Sequence, residues 1–437
     1  MRQLPKARWM MVALCFSVLA ISYIDRINLA IAAPHIKADL GLNDNQMGLL
    51  LGAFFWTYAF MQLPAGWILD RLGARLGLAL ACGWWSVWTA LTAAATGFAS
   101  LFGVRLLLGI GEAGSFPACG KVVRNWFPKH ERGIASALSD MGTQIGTAVA
   151  LPLVAWLIAT WDWRVSFVVT GLLGLVWLAV WLLVYREPEK SRNVTAEQLQ
   201  ALRAGENEAG PKGPSIPWLS LFRYPTVWGM MLGFFSTSYV KYFFITWFPT
   251  YLMSAKGFSL AELGTLGAIP ALMSVPGSLL GGWLTDTLYR RGLSLTAARK
   301  TCLVTGLLTV SVVGLAPFVE SSALMLTLFS ITYAALGFTA AVIWTLPADV
   351  APTPGHVASI WGIQNFASNL AGIVGTSVTG YLLFLSKGSF IAPLVVAASV
   401  ALVGALSYLF VMGRVEPLGT TAATPRTPLP PTAPGDN

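Results

Sequence analysis

The chain has few charged residues. Only 11% of its 437 residues are Asp, Glu, Lys or Arg, against about a quarter in ordinary soluble domains, and its mean hydropathy is +0.66. So little charge excludes a protein that has water as its main solvent. The 43 glycines and 18 tryptophans agree with this, because close helix contacts in lipid favour small residues and Trp concentrates at membrane interfaces.

Histidine and cysteine are also scarce. The four cysteines lie in apolar stretches and show no paired spacing that would predict a disulfide or a metal site: Cys15, Cys82, Cys119 and Cys302. The three histidines lie near the ends of such stretches: His35, His130 and His356. Without a metal-binding or nucleophile cluster, an enzyme is the least favoured class, and we expect no cofactor besides a coupling proton.

Long apolar stretches recur along the chain with short polar breaks between them. A spanning helix needs about 20 mainly apolar residues. We therefore predict an all-α membrane protein with twelve transmembrane helices in two pseudo-symmetric six-helix halves. The predicted spans are 9–33, 45–69, 76–96, 99–121, 133–158, 163–185, 225–252, 259–284, 298–317, 322–346, 357–385 and 389–413.

A long hydrophilic stretch divides the chain. We predict an N-terminal half at 1–185, a cytoplasmic linker at 186–222 and a C-terminal half at 223–415. Within the linker, Thr195 and Gln198 form a predicted capping box for a short amphipathic helix. The tail, 416–437, is rich in Pro and Thr and is predicted to be disordered, because its composition cannot bury a core.

The net charge of +9 follows the spans and does not form a nucleic-acid-binding face. Most Lys and Arg residues fall between spans on the side of the N-terminus, whereas the opposite side holds four. These four are Lys37, Arg164, Lys256 and Lys387. This bias predicts a multi-pass protein of the inner (cytoplasmic) membrane with both termini in the cytoplasm.

A repeated motif supports the division into halves. Gly66-Trp67-x-x-Asp70 follows the second span, and Gly282-Trp283-x-x-Asp286 follows the eighth. Parallel six-helix repeats build transporters that bind substrate at the midplane between the halves.

The first copy continues through Arg71, Gly73 and Arg75, so that it resembles the G-x-x-x-D-R-x-G-x-R signature of the major facilitator superfamily. An Asp at such a helix end can meet the positive end of another helix while the arginines seek carboxylates, which would close the inner side of the protein. We assign this motif and Asp286 to gating. A positively charged anchoring loop explains the arginines but neither the Asp nor the glycines.

Three further stretches, 23–29, 105–113 and 246–252, narrow the resemblance. Together they resemble the anion:cation symporter family, which includes carriers of sugar acids, tartrate, phthalate and sialic acid. The resemblance implies uptake of a small organic anion coupled to protons. We expect a monomer surrounded by membrane lipid.

Charges inside the spans need a reason, since one at the bilayer centre costs about 2.5–3.5 kcal/mol. The ionisable residues well inside spans are Asp25, Arg26, Arg105, Glu112, Asp140 and Lys241. Arg105 and Glu112 are seven residues apart and share a helix face, whereas Asp25 and Arg26 differ by about 100°. One of the latter two can face a cavity while the other reaches a neighbouring helix.

We predict that Arg26 binds the substrate carboxylate through a bidentate fork and that Asp25 and Glu112 are the protonation sites. Arg105 is assigned to the gating group. The alternative is that these four residues form static ion pairs that fix the packing of the first half.

Polar residues at helical spacing mark the predicted cavity wall. They are Tyr58 and Gln62 on span two, Asp140 and Gln144 on span five, and Trp361, Asn365 and Asn369 on span eleven. The family resemblance implies ligand roles for Tyr58, Gln144 and Asn365. Interhelical hydrogen bonds are the alternative for these residues, and interface anchoring is the alternative for Trp361.

Lys241 lies near the middle of span seven, on the face that it shares with Thr237 and Ser238. In the family that the chain resembles, one cation from span one can serve a monocarboxylate. A second cation opposite it would suit a dicarboxylate, or a sugar acid with another polar end. Snorkelling to the membrane interface is the alternative.

Two competing functions stay open. An organophosphate:phosphate antiporter also uses paired cations but has less need of Asp25 and Glu112, and proton dependence of uptake would distinguish it. A membrane sensor on the same scaffold would be expected to carry a sizeable soluble domain, and none is predicted. We therefore favour proton symport of an organic carboxylate (aldonate, uronate, aldarate or tartrate) by alternating access.

Overall fold

The computed structural model describes residues 4–128, 131–191, 194–203, 218–353 and 356–419, in which all regular secondary structure is helical. Six long segments make up the first part of the chain. A continuous helix, Asp44–Leu91, is bent at Gly73 and divides into α2 (44–72) and α3 (74–91). The other segments are α1 (Ala7–Leu40), α4 (Phe98–Trp126), α5 (Arg132–Thr160) and α6 (Trp163–Val184).

Six more segments follow the linker. They are α7 (Pro225–Thr246), α8 (Leu260–Arg290), α9 (Leu295–Phe318), α10 (Ser322–Val350), α11 (Val357–Leu385) and α12 (Ile391–Val411). Of the helices in the described residues, ten are long and apolar enough to cross a membrane. Pro225–Thr246 and the part of α2 before Pro64 fall outside those ten, although both are helical as predicted. Both carry polar residues toward the middle of the bundle, which lowers their mean hydropathy.

Large apolar side chains cover the outside of the bundle. Leu183 and Phe410, for example, are 76% and 75% exposed. A surface of this kind is stable in lipid and not in water. It agrees with the predicted all-α membrane class.

Several spanning helices are interrupted beside the centre of the bundle. The first segment of α4 ends at Glu112, the last segment of α8 begins at Ser274, and α10 breaks at Trp344. Interrupted helices free backbone groups and are tolerated at membrane depth where they line a cavity or pack against protein. These three breaks therefore point to the centre as the functional region.

The two halves touch closely at the end of the bundle that the sequence predicts to face outward. A Cβ added to Gly48 of α2 would lie 2.8 Å from the Cα of Gly380 on α11. Only glycine permits this approach. The indole of Trp247 also donates to the carbonyl of Thr376, at 3.2 Å, so helices of the second half are tied together at the same end.

The linker contains the predicted short helix, Ala196–Arg203. Its capping box is present, because Gln198 N–H donates to the Thr195 hydroxyl and Thr195 N–H donates to the Gln198 side chain. Leu202 of this helix is buried. The predicted boundaries between halves, linker and tail stay predictions, and most of the tail, 420–437, lies outside the described residues.

Candidate functional site

A cavity of about 150 Å³ lies at the centre of the bundle, between the two halves. Helices α1, α2, α4 and α5 line it from the first half, and α7, α8, α10 and α11 from the second. All seven residues predicted to bind substrate line this cavity: Arg26, Tyr58, Gln144, Lys241, Asn365, Asn369 and Trp361. The structure therefore brings together residues that are up to 343 positions apart in the sequence.

Arg26 is held in the cavity wall by a buried ion pair. Its Nε donates to Oε1 of Glu112 on α4, and both side chains are almost fully buried. The guanidinium carbon lies 4.7–4.8 Å from the ring centroids of Tyr23, Phe54 and Tyr58. Aromatic faces stabilise a cation and contribute little charge, so Glu112 is the group that compensates Arg26.

Asp25 points away from the cavity. It lies about 100° around the helix from Arg26, which lines the cavity. Its carboxylate is fully buried beside the hydroxyls of Thr89 on α3 and Thr170 on α6. Neither carboxylate oxygen meets the distance and angle criteria of a hydrogen bond within the described residues. A buried carboxylate without a hydrogen bond is costly, so this site needs a group that compensates its charge or its lost hydration.

Arg105 of α4 is 3% exposed and lies within electrostatic reach of both Glu112 and Asp25. Its guanidinium carbon is 5.5 Å from the ring of Phe54. Two of its nitrogens, Nε and Nη1, have no hydrogen-bond partner in the described part of the chain. Four ionisable side chains thus form one buried group, of which Arg26 alone reaches the cavity.

Two hydrogen bonds connect the halves across the cavity. Asn365 donates through Nδ2 to Oε1 of Gln62, at 2.7 Å, and Ser274 donates through its hydroxyl to Oε1 of Gln144. Gln144 and Asn365 are predicted ligand residues. In this conformation, their side chains make interhelical hydrogen bonds.

The second half contributes an aromatic wall. Trp361 of α11 stacks on Trp344 of α10, with ring centroids 5.5 Å apart and planes 25° apart. Asn369 donates to the backbone carbonyl of Asn365 and is 2% exposed. Trp361 and Trp344 both line the cavity.

Lys241 of α7 also lines the cavity, where its side chain is exposed, and it shares this wall with Thr237 and Ser238 as predicted. Asp140 of α5, from the first half, lines the same cavity.

The sequence profile of the Major Facilitator Superfamily matches residues 15–376, most of the chain. The chain belongs to this superfamily. It is 35% identical to the D-galactonate transporter of Escherichia coli O6:H1 over 95% of this chain and 97% of that protein. It is 34% identical to the probable galactarate/D-glucarate transporter GudP of Bacillus subtilis, covering 94% and 92% of the two chains.

Solved structures show the same fold. A bacterial homologue of the human lysosomal transporter Spinster, in an inward-facing and occupied conformation, superposes with a TM-score of 0.74. The two chains are 20% identical, and the match covers 92% of this chain and 96% of that one. These findings confirm the predicted superfamily and fold, and they identify a transporter and not an enzyme.

The motif that we assigned to gating lies at the predicted inner end of the first half. Gly73 bends the chain with φ 78°, a conformation that side chains with a Cβ rarely adopt. Asp70 pairs with Lys121 of α4, at 3.2 Å, and so meets a side chain in place of the expected helix end. Gly66 lines a separate pocket beside this pair.

The arginines of the motif also differ from expectation. Arg71 lies 3.7 Å above the ring of Trp67, and Arg75 donates to the carbonyl of Leu182. Neither makes an ion pair with a carboxylate of the described residues. Asp286, the counterpart of Asp70 in the second half, is exposed, and its side chain makes no hydrogen bond with the described residues. In this conformation, the expected pairing of arginines with carboxylates is absent among the described residues.

Three serines of the cavity wall, Ser274, Ser278 and Ser368, were not predicted. Ser274 and Ser278 of α8 line the cavity one helical turn apart, and Ser238 shares a 2.7 Å hydrogen bond with Ser368 of α11. Serine is common at helix contacts in membranes, so its spacing alone cannot separate a ligand from a packing residue.

Proposed function

We propose that this transporter takes up an organic carboxylate, either a sugar acid or a dicarboxylate, by proton symport with alternating access. It would act in the cytoplasmic membrane with both termini inside. The buried pair of Arg26 and Glu112 in the cavity wall carries this proposal. It combines the cation that an anionic substrate needs with a carboxylate that can exchange a proton.

Protonation of Glu112 would couple the two ligands. A proton on Glu112 removes its charge and releases the guanidinium of Arg26, which can then bind the substrate carboxylate with two parallel hydrogen bonds. Because linkage is reciprocal, substrate on Arg26 also favours the proton on Glu112. The loaded cavity then carries no uncompensated charge, which lowers the cost of moving the halves around it.

Asp25 is the proposed second protonation site. It is sealed from the cavity but lies near Arg105, which lies near Glu112 in turn. Movement of Arg105 between the two carboxylates would change which of them is compensated by charge. This supports a role for Asp25 in coupling and not in substrate contact.

The relatives carry both monoacid and diacid sugar derivatives by name, so they leave the substrate open. Lys241 favours the diacid. It is the second cation of the cavity wall and comes from the other half, so a substrate with two anionic ends could contact Arg26 and Lys241 together. We therefore propose a diacid such as an aldarate as the preferred substrate.

Proteoliposomes loaded with purified protein test the proposal. We expect an inward proton gradient to drive accumulation of radiolabelled galactonate and galactarate. In Asp25→Asn we expect accumulation to be lost while substrate exchange persists. If both accumulation and exchange stay normal in that variant, the proton role of Asp25 is wrong.

An organophosphate antiporter is tested in the same vesicles. Exchange of inorganic phosphate for a sugar phosphate, with no response to the proton gradient, would overturn the symport proposal. The matched control for Asp25→Asn is Glu320→Gln. It removes an exposed carboxylate from the 319–321 loop, far from the cavity in the fold.

A further inference from the structure

The proton steps of the symport proposed above involve neither Asp140 nor Lys241. Asp140 lies on α5 of the first half and Lys241 on α7 of the second, and both line the central cavity. Within the described residues, neither side chain makes a hydrogen bond or an ion pair within 4 Å. Lys241 is nevertheless the charged group with which Asp140 interacts electrostatically.

This pair differs from that of Arg26 and Glu112. The latter is closed by direct contact and lies within the first half, whereas Asp140 and Lys241 come from different halves and both line the space that a substrate would occupy. Asp140 is also the one carboxylate among the described residues that line the cavity. With Arg26 compensated by Glu112, the remaining charges of the empty cavity are those of Asp140 and Lys241.

We propose, resting on the function proposed above, that Asp140 is the counter-ion of Lys241 in the empty cavity and binds one proton when the distal carboxylate of a diacid binds Lys241. The proton comes from water and goes to a carboxylate oxygen of Asp140, and no covalent bond of the substrate changes. A diacid would then enter with one proton more than a monoacid.

The physical reason is charge balance in a poorly solvated site. A second carboxylate at Lys241 leaves two negative charges facing one cation, and two carboxylates that share a site cannot both stay ionised without a large cost. Proton uptake by Asp140 restores the balance. The extra negative charge of the diacid is offset, so the net charge moved per cycle is the same for both substrate types.

Other titratable groups face this space. Those lining the cavity or lying within electrostatic reach of Asp140 are Tyr23 and Arg26 of α1, Tyr58 of α2, Cys119 of α4, Lys241 and Tyr242 of α7, and Tyr333 of α10. None of these is a carboxylate. Asp25 and Glu112 act on every substrate that binds Arg26, so their contribution cancels when two substrates are compared.

Galactonate and galactarate form a matched pair for the test, because they differ only in whether the distal carbon is a hydroxymethyl or a carboxylate. The affinity of the purified protein for each would be measured by calorimetry at a series of pH values near neutrality, where both substrates are fully ionised. We expect galactarate affinity to fall more steeply with rising pH, by up to about tenfold more per pH unit.

Asp140→Asn and Lys241→Gln should each remove the difference in slope, and Glu320→Gln should keep it. Equal slopes for the two acids in the wild type would overturn the inference. So would a difference that persists in folded Asp140→Asn. If that variant does not fold, the wild-type slopes and Lys241→Gln still decide. Failure of both acids to bind would instead overturn the proposed function.

Discussion

The two halves of this transporter hold their charges differently. In the first half, Asp25, Arg26, Arg105 and Glu112 are packed together with almost no exposure. In the second, Lys241 is exposed to the cavity, and its polar neighbours in the wall are amides and hydroxyls. Buried charges are stable only when compensated, so the first half holds the proposed proton sites beside the Arg26 contact, whereas the second half offers only proposed substrate contacts.

The largest effect should come from breaking the first half's substrate contact. Arg26→Lys keeps the charge but loses the planar fork that binds a carboxylate through two parallel hydrogen bonds. We expect uptake to fall about 100-fold, since losing a hydrogen bond to a charged group costs about 1.5–3 kcal/mol. Initial uptake rates in proteoliposomes measure this, with Arg290→Lys at the exposed end of α8 as control. Uptake within twofold of wild type would mean that Arg26 is only a packing residue.

Glu112→Gln tests the proton side of the same pair. The amide keeps the acceptor that binds Arg26 but cannot exchange a proton. Each proton moving down a difference of one pH unit supplies about 1.4 kcal/mol, a factor of about ten in accumulation. We expect the variant to lose at least that factor while counterflow persists, as measured in vesicles with an imposed gradient. Undiminished accumulation would remove Glu112 from the coupling mechanism.

Lys241→Gln sharpens the comparison from the other half. We expect galactarate to bind about tenfold more weakly, since the distal carboxylate loses a charged partner, whereas galactonate affinity changes less than about twofold. Thermal-shift titrations of purified protein measure both affinities. Lys6→Gln, an exposed lysine ahead of α1, is the matched control. An equal loss for both acids would assign Lys241 to general attraction of anions.

The smallest effect is expected at the amides. Asn365→Ala removes the 2.7 Å hydrogen bond to Gln62 and one side of the cavity wall. A neutral hydrogen bond contributes about 1 kcal/mol, so substrate affinity should weaken about fivefold. Calorimetric titration with galactarate measures the change. If affinity instead rises, the bond to Gln62 competes with substrate for this amide.

Sequence reasoning located the spans and the cavity residues better than their contacts. Apolar length and helical spacing were sufficient to place Tyr58, Gln144 and Asn365 in the wall, because both are local properties of one helix. The partners of Gln144 and Asn365 were not predictable in this way, since Ser274 and Gln62 lie on helices of the other half. The serines of α8 carried no distinguishing signal in the sequence, because serine is common at helix contacts in membranes.

The amino-acid sequence by itself determined that the chain spans a membrane, which residues carry charge within it, and that Asp25 and Arg26 must point in different directions. Only the tertiary structure decided that Arg26 faces the cavity and Asp25 the interior. It also paired Arg26 with Glu112 and brought Asp140 and Lys241 into the wall of one cavity. The physical reason is that the rotation of each helix about its axis depends on packing against all its neighbours, and no single stretch of sequence contains that information.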